Sequence, residues 1–171
     1  QHQHPTPSKP VHTPSTWTCP QYSTKVQLSP LPDTSKPLTA PQIKKLQQVI
    51  GSLLYYARAV DPTMLFALAD LAAAQSQSTI KTNIALNHLL DYAHTHPQAT
   101  IQYTSSNMIL HTHSDASYLS APKSRSRAGG YLFLGSKTII PSPLNGPLHC
   151  EVKIIKNVMA SAAEAEIGAL F

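Results

Sequence analysis

Charged side chains are scarce in this sequence, at 12% of its 171 residues, against roughly a quarter in a typical soluble domain. Acidic residues are the scarcer kind: 13 Lys and Arg stand against 8 Asp and Glu, which gives a formal net charge of +5. A basic excess on so few charges favours an anionic partner, with nucleic acid as the first candidate. The hydrophobic fraction of 42% is enough for a packed core and excludes wholesale disorder.

The sequence also lacks long apolar runs and clusters of cysteine. No stretch approaches the ~20 apolar residues of a membrane helix, and no signal-peptide pattern opens the chain, so we expect no membrane partner. Cys19 and Cys150 lie in unrelated stretches, and neither has a second cysteine at metal-ligand spacing. We interpret them as reduced thiols of an intracellular protein, in the cytoplasm or nucleus.

Proline is concentrated at the beginning of the chain, where residues 1–38 hold more than half of the 15 prolines. Each proline fixes φ and removes a backbone donor, so we expect neither a continuous helix nor a central strand there. We predict an extended, Pro-rich linker over residues 1–38. His2, His4 and His12 fall in it at irregular spacing, and we interpret them as incidental and not as a metal-binding tract.

Helical signals dominate residues 39–100. Thr39 opens a capping-box pattern with the glutamine three residues later. Asp61-Pro62 supplies an N-cap and a first helical residue for a second helix. A third helix is predicted from Ser78 or Thr79 to just before Pro97. Three short helices with brief connections predict a small helical bundle.

From about residue 100 the apolar pattern acquires the period of strands. We predict strands over Ile101–Tyr103, Met108–His113, Gly129–Leu134, Lys137–Ile140 and Leu148–Ile155. After Val158 a run of Ala, Glu and Leu favours a helix. Successive strands followed by a helix predict an α+β or α/β domain over residues 101–171, with an incomplete sheet and its first helix.

Carboxylates stand at two points of this predicted domain. Asp115 ends an apolar strand, and Glu164 and Glu166 lie in the first turns of the last helix. Hard cations prefer oxygen ligands, and Mg²⁺ is typically held by one or two protein carboxylates. Two such ions can drive phosphodiester hydrolysis. By spacing alone, a loop-capping aspartate and a solvent-facing glutamate explain these residues equally well.

Four motifs, in this order, resemble the Pol polyprotein of copia-type retrotransposons. Ile50–Arg58 resembles the stretch that follows the polymerase palm, and the segment 113–117, His-Ser-Asp-Ala-Ser, resembles the entry into ribonuclease H. Ser126–Phe133, with its Gly-Tyr pair, is similar to the second strand of that domain. Ala160–Glu166 resembles the run that opens its first helix. The resemblance covers about residues 40–171, from a thumb- or connection-like module into a ribonuclease H-like domain.

The resemblance implies catalytic and metal-binding roles for Asp115 and Glu166, with Mg²⁺ as the cofactor of the complete domain. Glu164 is the rival for the second role, since positions two apart on a helix lie about 200° apart around its axis. A further metal-binding aspartate would follow Phe171, and the polymerase aspartates would precede Gln1. We therefore expect the 171 residues alone to lack nuclease activity.

The resemblance also implies the partners. The parent would copy RNA into DNA and cleave the RNA of RNA–DNA hybrids, inside a retrotransposon particle. Its partners would be such a hybrid or a template–primer duplex, and the remainder of the polyprotein. Lys123, Arg125 and Arg127 form a basic group in a Ser-rich loop and are the candidate contacts to phosphate.

Two other interpretations stay open. His111, His113 and Asp115 share one face of a predicted strand, and such a group also occurs in zinc hydrolases, although His149 is the only later histidine. The second is a degenerate or co-opted transposon remnant that binds nucleic acid or a protein partner without catalysis.

Overall fold

The computed structural model describes residues 4–16, 33–121, 125–137 and 143–170. They divide into two units, one made of residues 4–16 and 33–99 and the other of the described residues from 100 onward. Within these ranges there are four α-helices and one open, three-stranded antiparallel sheet, so the chain has the predicted α+β class. None of the described helices combines the length and the apolar character that a membrane span requires.

The first unit contains α1 (Ala40–Ala59), α2 (Leu65–Ala74) and α3 (Ile80–Thr95). All three predicted starting signals are used. Gln42 Oε1 accepts from the backbone N–H of Thr39 at 2.9 Å. Asp61 caps the 3₁₀ turn Pro62–Met64 that leads into α2, and Thr79 is the N-cap of α3. Each cap satisfies backbone donors that a helix start leaves without intrahelical partners.

Leucines from all three helices form the core of this unit. The hydrophobic residues of this unit that are at most 4% exposed are Leu46, Ile50, Ala57, Met64, Leu65, Leu68, Leu71, Leu86 and Leu89. Burial of a leucine side chain contributes about 1.5–3 kcal/mol. This packing outweighs the weak helix preference of the Gly, Ser and Tyr residues in α1.

Residues 33–39 attach to the start of α3. The Leu38 N–H donates to the Ser78 carbonyl and the Ile80 N–H to the Lys36 carbonyl, both at 2.9 Å. The Thr79 hydroxyl donates to the carboxylate of Asp33, which also accepts from the Ser35 N–H at 2.9 Å. These donors, the Thr79 hydroxyl foremost, lower the pKa of Asp33 from 3.8 to about 2.

Residues 4–16, here called the N-terminal strap, lie along α3. His4 Nε2 is 2.6 Å from Asp91 Oδ1, and the Val11 N–H donates to Thr95 Oγ1 at 3.0 Å. His88 Nε2 donates to the Thr13 carbonyl at 2.9 Å. The sequence predicts an extended linker over residues 1–38 but does not predict these contacts, because each of them joins residues that are at least 75 positions apart.

The second unit contains β1 (Ile109–Ala121), β2 (Arg125–Gly135), β3 (Pro147–Ile154) and α4 (Ala162–Ala169). The strands lie in the order β1-β2-β3, and both pairs are antiparallel. β1 is longer than predicted, so Asp115 lies inside a strand and not at its end. It pairs with Gly129, and the ladder resumes at Ala121 after an irregularity.

Two other predictions differ from the structure. Ile101–Tyr103 is not in a strand; its Tyr103 hydroxyl donates to the Pro147 carbonyl instead. The last helix begins at Ala162 and not near Val158, because Ser161 is its N-cap. The predicted strand Lys137–Ile140 cannot be compared beyond Lys137, since residues 138–140 lie outside the described ranges.

Small side chains bring α4 onto the sheet. Ala165 is fully buried against Ala128 of β2, with Ile155 and Met159 in the same cluster and Ala116 of β1 packed at its edge. An alanine at each contact lets the backbones of helix and sheet approach closely. The face of the sheet that carries Ala116 and Ala128 is called the helix face below.

Asp33 and Thr79 provide a test of the first unit. Because the folded-state pKa of Asp33 lies below its unfolded value, its interactions stabilise the fold above pH ~4, and this contribution is lost as the pH falls through about 2. We expect an NMR titration of the Asp33 carboxyl carbon to give a midpoint near 2. Thr79→Val should move it toward 3.8 and weaken the α3 cap by about 1 kcal/mol.

Thr63→Val is the matched control, because it removes a hydroxyl donor from a different carboxylate, Asp61. It should leave the Asp33 titration unchanged. A midpoint near 3.8 for Asp33 in the unmodified chain would contradict this description of the α3 start.

Candidate functional site

Three polar side chains of β1 share one face of the sheet, here called the histidine face. Side chains alternate between the two faces of a strand, so His111, His113 and Asp115 point the same way. The rings of His111 and His113 both contact Phe133 of β2, at centroid distances of 5.2 and 5.3 Å. Asp115 is exposed, two residues beyond His113.

Phe133 lies on the same face, directly opposite His111 on the neighbouring strand. It is fully buried, lies against Tyr131 at 5.7 Å, and stacks with the imidazole of His111 at an interplanar angle of 14°. Burial raises the pKa of Tyr131, whose hydroxyl donates to the Asn145 carbonyl at 2.7 Å. Both imidazoles therefore pack against the buried ring of Phe133.

Asp115 and Glu166 lie on opposite sides of the sheet. Ala116 packs against the cluster that contains Ala165 of α4, so the neighbouring Asp115 side chain points away from that helix. Glu166 is exposed on α4, which covers the helix face. The structure therefore does not bring together the two carboxylates to which the resemblance assigns the metal ions.

Glu164 has a structural role at the start of α4. Its Oε2 accepts from the Ala160 N–H at 2.6 Å, while the Ser161 hydroxyl oxygen accepts from the Glu164 N–H at 3.1 Å. This reciprocal pair caps the helix, and the carboxylate also complements the positive end of its dipole. Of the two glutamates, Glu166 is the one whose carboxylate α4 does not use for capping.

Asp115 and Glu166 do not have the arrangement that Mg²⁺ requires of its ligands. A magnesium site needs oxygen ligands converging on one point at close to octahedral geometry. Across the ranges that the structure describes, no three or more His, Cys, Asp or Glu side chains converge in a way that could hold a metal ion. With Asp115 and Glu166 on different faces, the described residues do not fit a two-carboxylate magnesium site.

Among the described residues, His111, His113 and Asp115 do not form a group that could hold a zinc ion. His149 pairs with Leu132, next to Phe133, so it lies on the face opposite His111 and His113. Its Nε2 contacts Glu151 Oε2 at 3.5 Å. Lys153 also hydrogen-bonds to that carboxylate, and its hydrogen bond is the main cause of the lowered pKa of Glu151.

The candidate phosphate contacts are placed differently from one another. Arg125 is exposed at the start of β2. Arg127 is only 5% exposed, and it pairs with Ser117 of β1 and Ile154 of β3. Lys123 lies outside the described residues. As folded, Arg125 can reach a nucleic acid and the side chain of Arg127 contributes to packing.

Asn145 was not anticipated from the sequence. Its amide nitrogen donates to the Leu134 and Thr104 carbonyls at 2.8 and 2.9 Å, and its Oδ1 accepts from the Thr104 N–H at 2.7 Å. It fastens the segment before β3 to the end of β2. The only sequence signal was the Asn-Gly dipeptide, which is typical of turns.

Comparisons with protein-family models, with curated proteins and with solved structures find no match for this chain.

Substitutions of Arg125 and Arg127 should have opposite effects, the first on binding of nucleic acid and the second on stability. Arg125→Ala should leave the melting temperature unchanged. If the chain binds an RNA–DNA hybrid, as the resemblance implies, this variant should also weaken that binding and reduce its salt slope by about 1. Arg127→Ala should lower the free energy of unfolding by roughly 1–3 kcal/mol, because it removes a buried, engaged side chain. Urea unfolding and fluorescence anisotropy measure the two effects. A stable Arg127→Ala variant with weakened binding would reverse this assignment.

The two glutamates of α4 form a second matched pair. Glu164→Ala removes the cap acceptor for Ala160 and should destabilise the unit by about 0.5–2 kcal/mol. Glu166→Ala removes an exposed carboxylate and should change stability by less than about 0.5 kcal/mol. Equal losses in urea unfolding would show that the cap is not formed.

Proposed function

We propose that the chain is a segment of a copia-type retrotransposon Pol polyprotein. It would comprise a thumb- or connection-like helical module and the opening part of a ribonuclease H-like domain. In the parent, the reverse transcriptase copies RNA into DNA and the ribonuclease H hydrolyses the RNA strand of RNA–DNA hybrids with Mg²⁺. The order of the sequence motifs and the α+β architecture support this proposal.

The observation that carries it is the placement of the motifs, in order, on three elements of one unit. The His-Ser-Asp-Ala-Ser segment lies in β1, the Gly130-Tyr131 pair in β2, and the Ala-Glu-Ala-Glu run opens α4. α4 packs against β1 and β2. The resemblance implies that the first motif lies in the first strand, the second in the second strand and the third at the start of the first helix of a ribonuclease H-like domain.

For the 171 residues themselves, we propose binding of nucleic acid without cleavage. The net charge of +5 favours a polyanion, and Arg125 is exposed for contact with phosphate. Asp115 and Glu166 lie on different faces of the sheet, so neither can complete a metal site with the other. The partner is an RNA–DNA hybrid or a template–primer duplex.

The same placement of the carboxylates favours the alternative origin, a degenerate or co-opted element that retains binding alone. A segment of an active polyprotein would acquire its metal site only together with the rest of the domain. The two origins make the same prediction for the isolated chain. They differ in whether the parent sequence restores Mg²⁺-dependent cleavage.

The test is a combined binding and cleavage assay on a labelled RNA–DNA hybrid. We expect saturable binding by fluorescence anisotropy, with the logarithm of the association constant falling linearly with the logarithm of the salt concentration. We expect no RNA cleavage in millimolar Mg²⁺. Asp115→Asn should bind as the unmodified chain does, or slightly more tightly because a negative charge is lost.

Two results would overturn the proposal. Mg²⁺-dependent cleavage that disappears in Asp115→Asn would show that the chain is catalytic. Absence of any salt-dependent binding to hybrid or duplex would remove the binding function. Glu151→Gln is the charge-matched control for Asp115→Asn, because it removes one negative charge from β3 on the opposite face.

A further inference from the structure

A histidine of the strap and a histidine at the end of α3 lie next to each other in the first unit. His12 Nδ1 lies 3.2 Å from His96 Nε2, and the two residues are 84 positions apart. The ring centroids are 5.3 Å apart at an interplanar angle of 64°. Two ring nitrogens at this distance share one proton, because a neutral imidazole has one donor and one acceptor nitrogen.

Both rings are positioned by contacts other than their mutual hydrogen bond. His96 lies against the ring of Tyr92 at a centroid distance of 4.9 Å, and the Tyr92 hydroxyl is 2.9 Å from Thr63 Oγ1. On the strap, the residues on either side of His12 are bonded to α3. The Val11 N–H donates to Thr95 Oγ1 and the Thr13 carbonyl accepts from His88. The two nitrogens are therefore held near each other in advance.

The distance between these nitrogens matches a pair of metal ligands. A tetrahedral zinc ion with Zn–N bonds of about 2.0–2.1 Å separates two ligand nitrogens by about 3.3–3.4 Å. Replacing the shared proton by such an ion would change the distance between the two nitrogens by only a few tenths of an ångström. The pair is exposed, so water can fill the remaining coordination positions.

We propose that His12 and His96 form a two-histidine site for a divalent cation of the zinc class, which fastens the N-terminal strap to α3. Imidazole is a preferred ligand of Zn²⁺, Cu²⁺ and Ni²⁺, whereas Mg²⁺ and Ca²⁺ prefer oxygen. The described residues supply no third side-chain ligand, so the site is open and much weaker than a four-ligand structural site. The irregular spacing of histidines in the strap does not indicate it, because the second ligand lies on α3.

Binding has two expected consequences. The ion cross-links the strap to the helix, so it stabilises the folded unit in proportion to the logarithm of its concentration above the dissociation constant. Metal-bound histidines must also be deprotonated, so binding releases protons and weakens in acid.

The experiment is a ZnCl₂ titration of the full chain, followed by isothermal calorimetry and by NMR of the imidazole nitrogens. We expect saturable binding, with the largest shifts at His12 Nδ1 and His96 Nε2, reversal by EDTA, and no response to MgCl₂. His12→Gln and His96→Gln should each weaken the affinity at least about tenfold. His94→Gln removes an exposed histidine from the same helix and should leave the affinity unchanged.

Circular dichroism before the titration identifies any variant that fails to fold, and His12→Gln, at an exposed position, keeps the test decisive if His96→Gln does fail. Equal Zn²⁺ affinity in the unmodified chain and all three variants would mean an adventitious ion only. Absence of saturable binding to the unmodified chain would equally overturn the proposal.

Discussion

Successive side chains of a strand point to opposite faces of the sheet, and on β1 the side chain of Ala116 points to the face that α4 covers. Asp115, one residue earlier, must then point to the other face. The rest of the second unit follows from this alternation. His111 and His113 lie on the same face as Asp115 and contact Phe133. Glu166 lies on α4, at the opposite face.

Close packing makes this choice of face stable. Ala165 and Ala128 are 0% and 3% exposed, so the contact between α4 and β2 at these positions is closed to solvent. A one-residue shift of β1 would place the carboxylate of Asp115 in that space. Burial of an unpaired carboxylate costs several kcal/mol, far more than the exposure of one methyl group. The position that keeps Asp115 in solvent is therefore strongly preferred.

The helices follow local rules, and these could be predicted from the sequence. The signals at Thr39, Asp61 and Thr79 each involve residues within three positions, and all three open a helix where expected. The sheet class was also accessible, because strand periodicity begins near residue 100. The face on which Asp115 lies could not be predicted from the sequence. Small and polar residues alternate on β1, and this pattern does not show which side of the sheet a helix will cover.

Long-range contacts account for the other differences. Arg127 is part of a basic, Ser-rich segment, which favours a solvated loop, yet it lies in β2 between Ser117 and Ile154 and is only 5% exposed. The strap is a Pro-rich stretch whose partners lie on α3, and nothing in its own composition indicates them. The candidate site is therefore known from sequence only as a set of residues, and tertiary structure decides which of them meet.

The most direct test of this account is to titrate Mg²⁺ into the isotope-labelled chain and to follow the side-chain carboxyl carbon signals of Asp115 and Glu166, which respond only to an ion in direct contact. The account predicts that the two signals do not shift together with one common affinity, because the carboxylates lie on opposite faces of the sheet. Shifts of both signals that follow one binding curve, and that both disappear in Asp115→Asn, would contradict it and would show that the two carboxylates share a metal site.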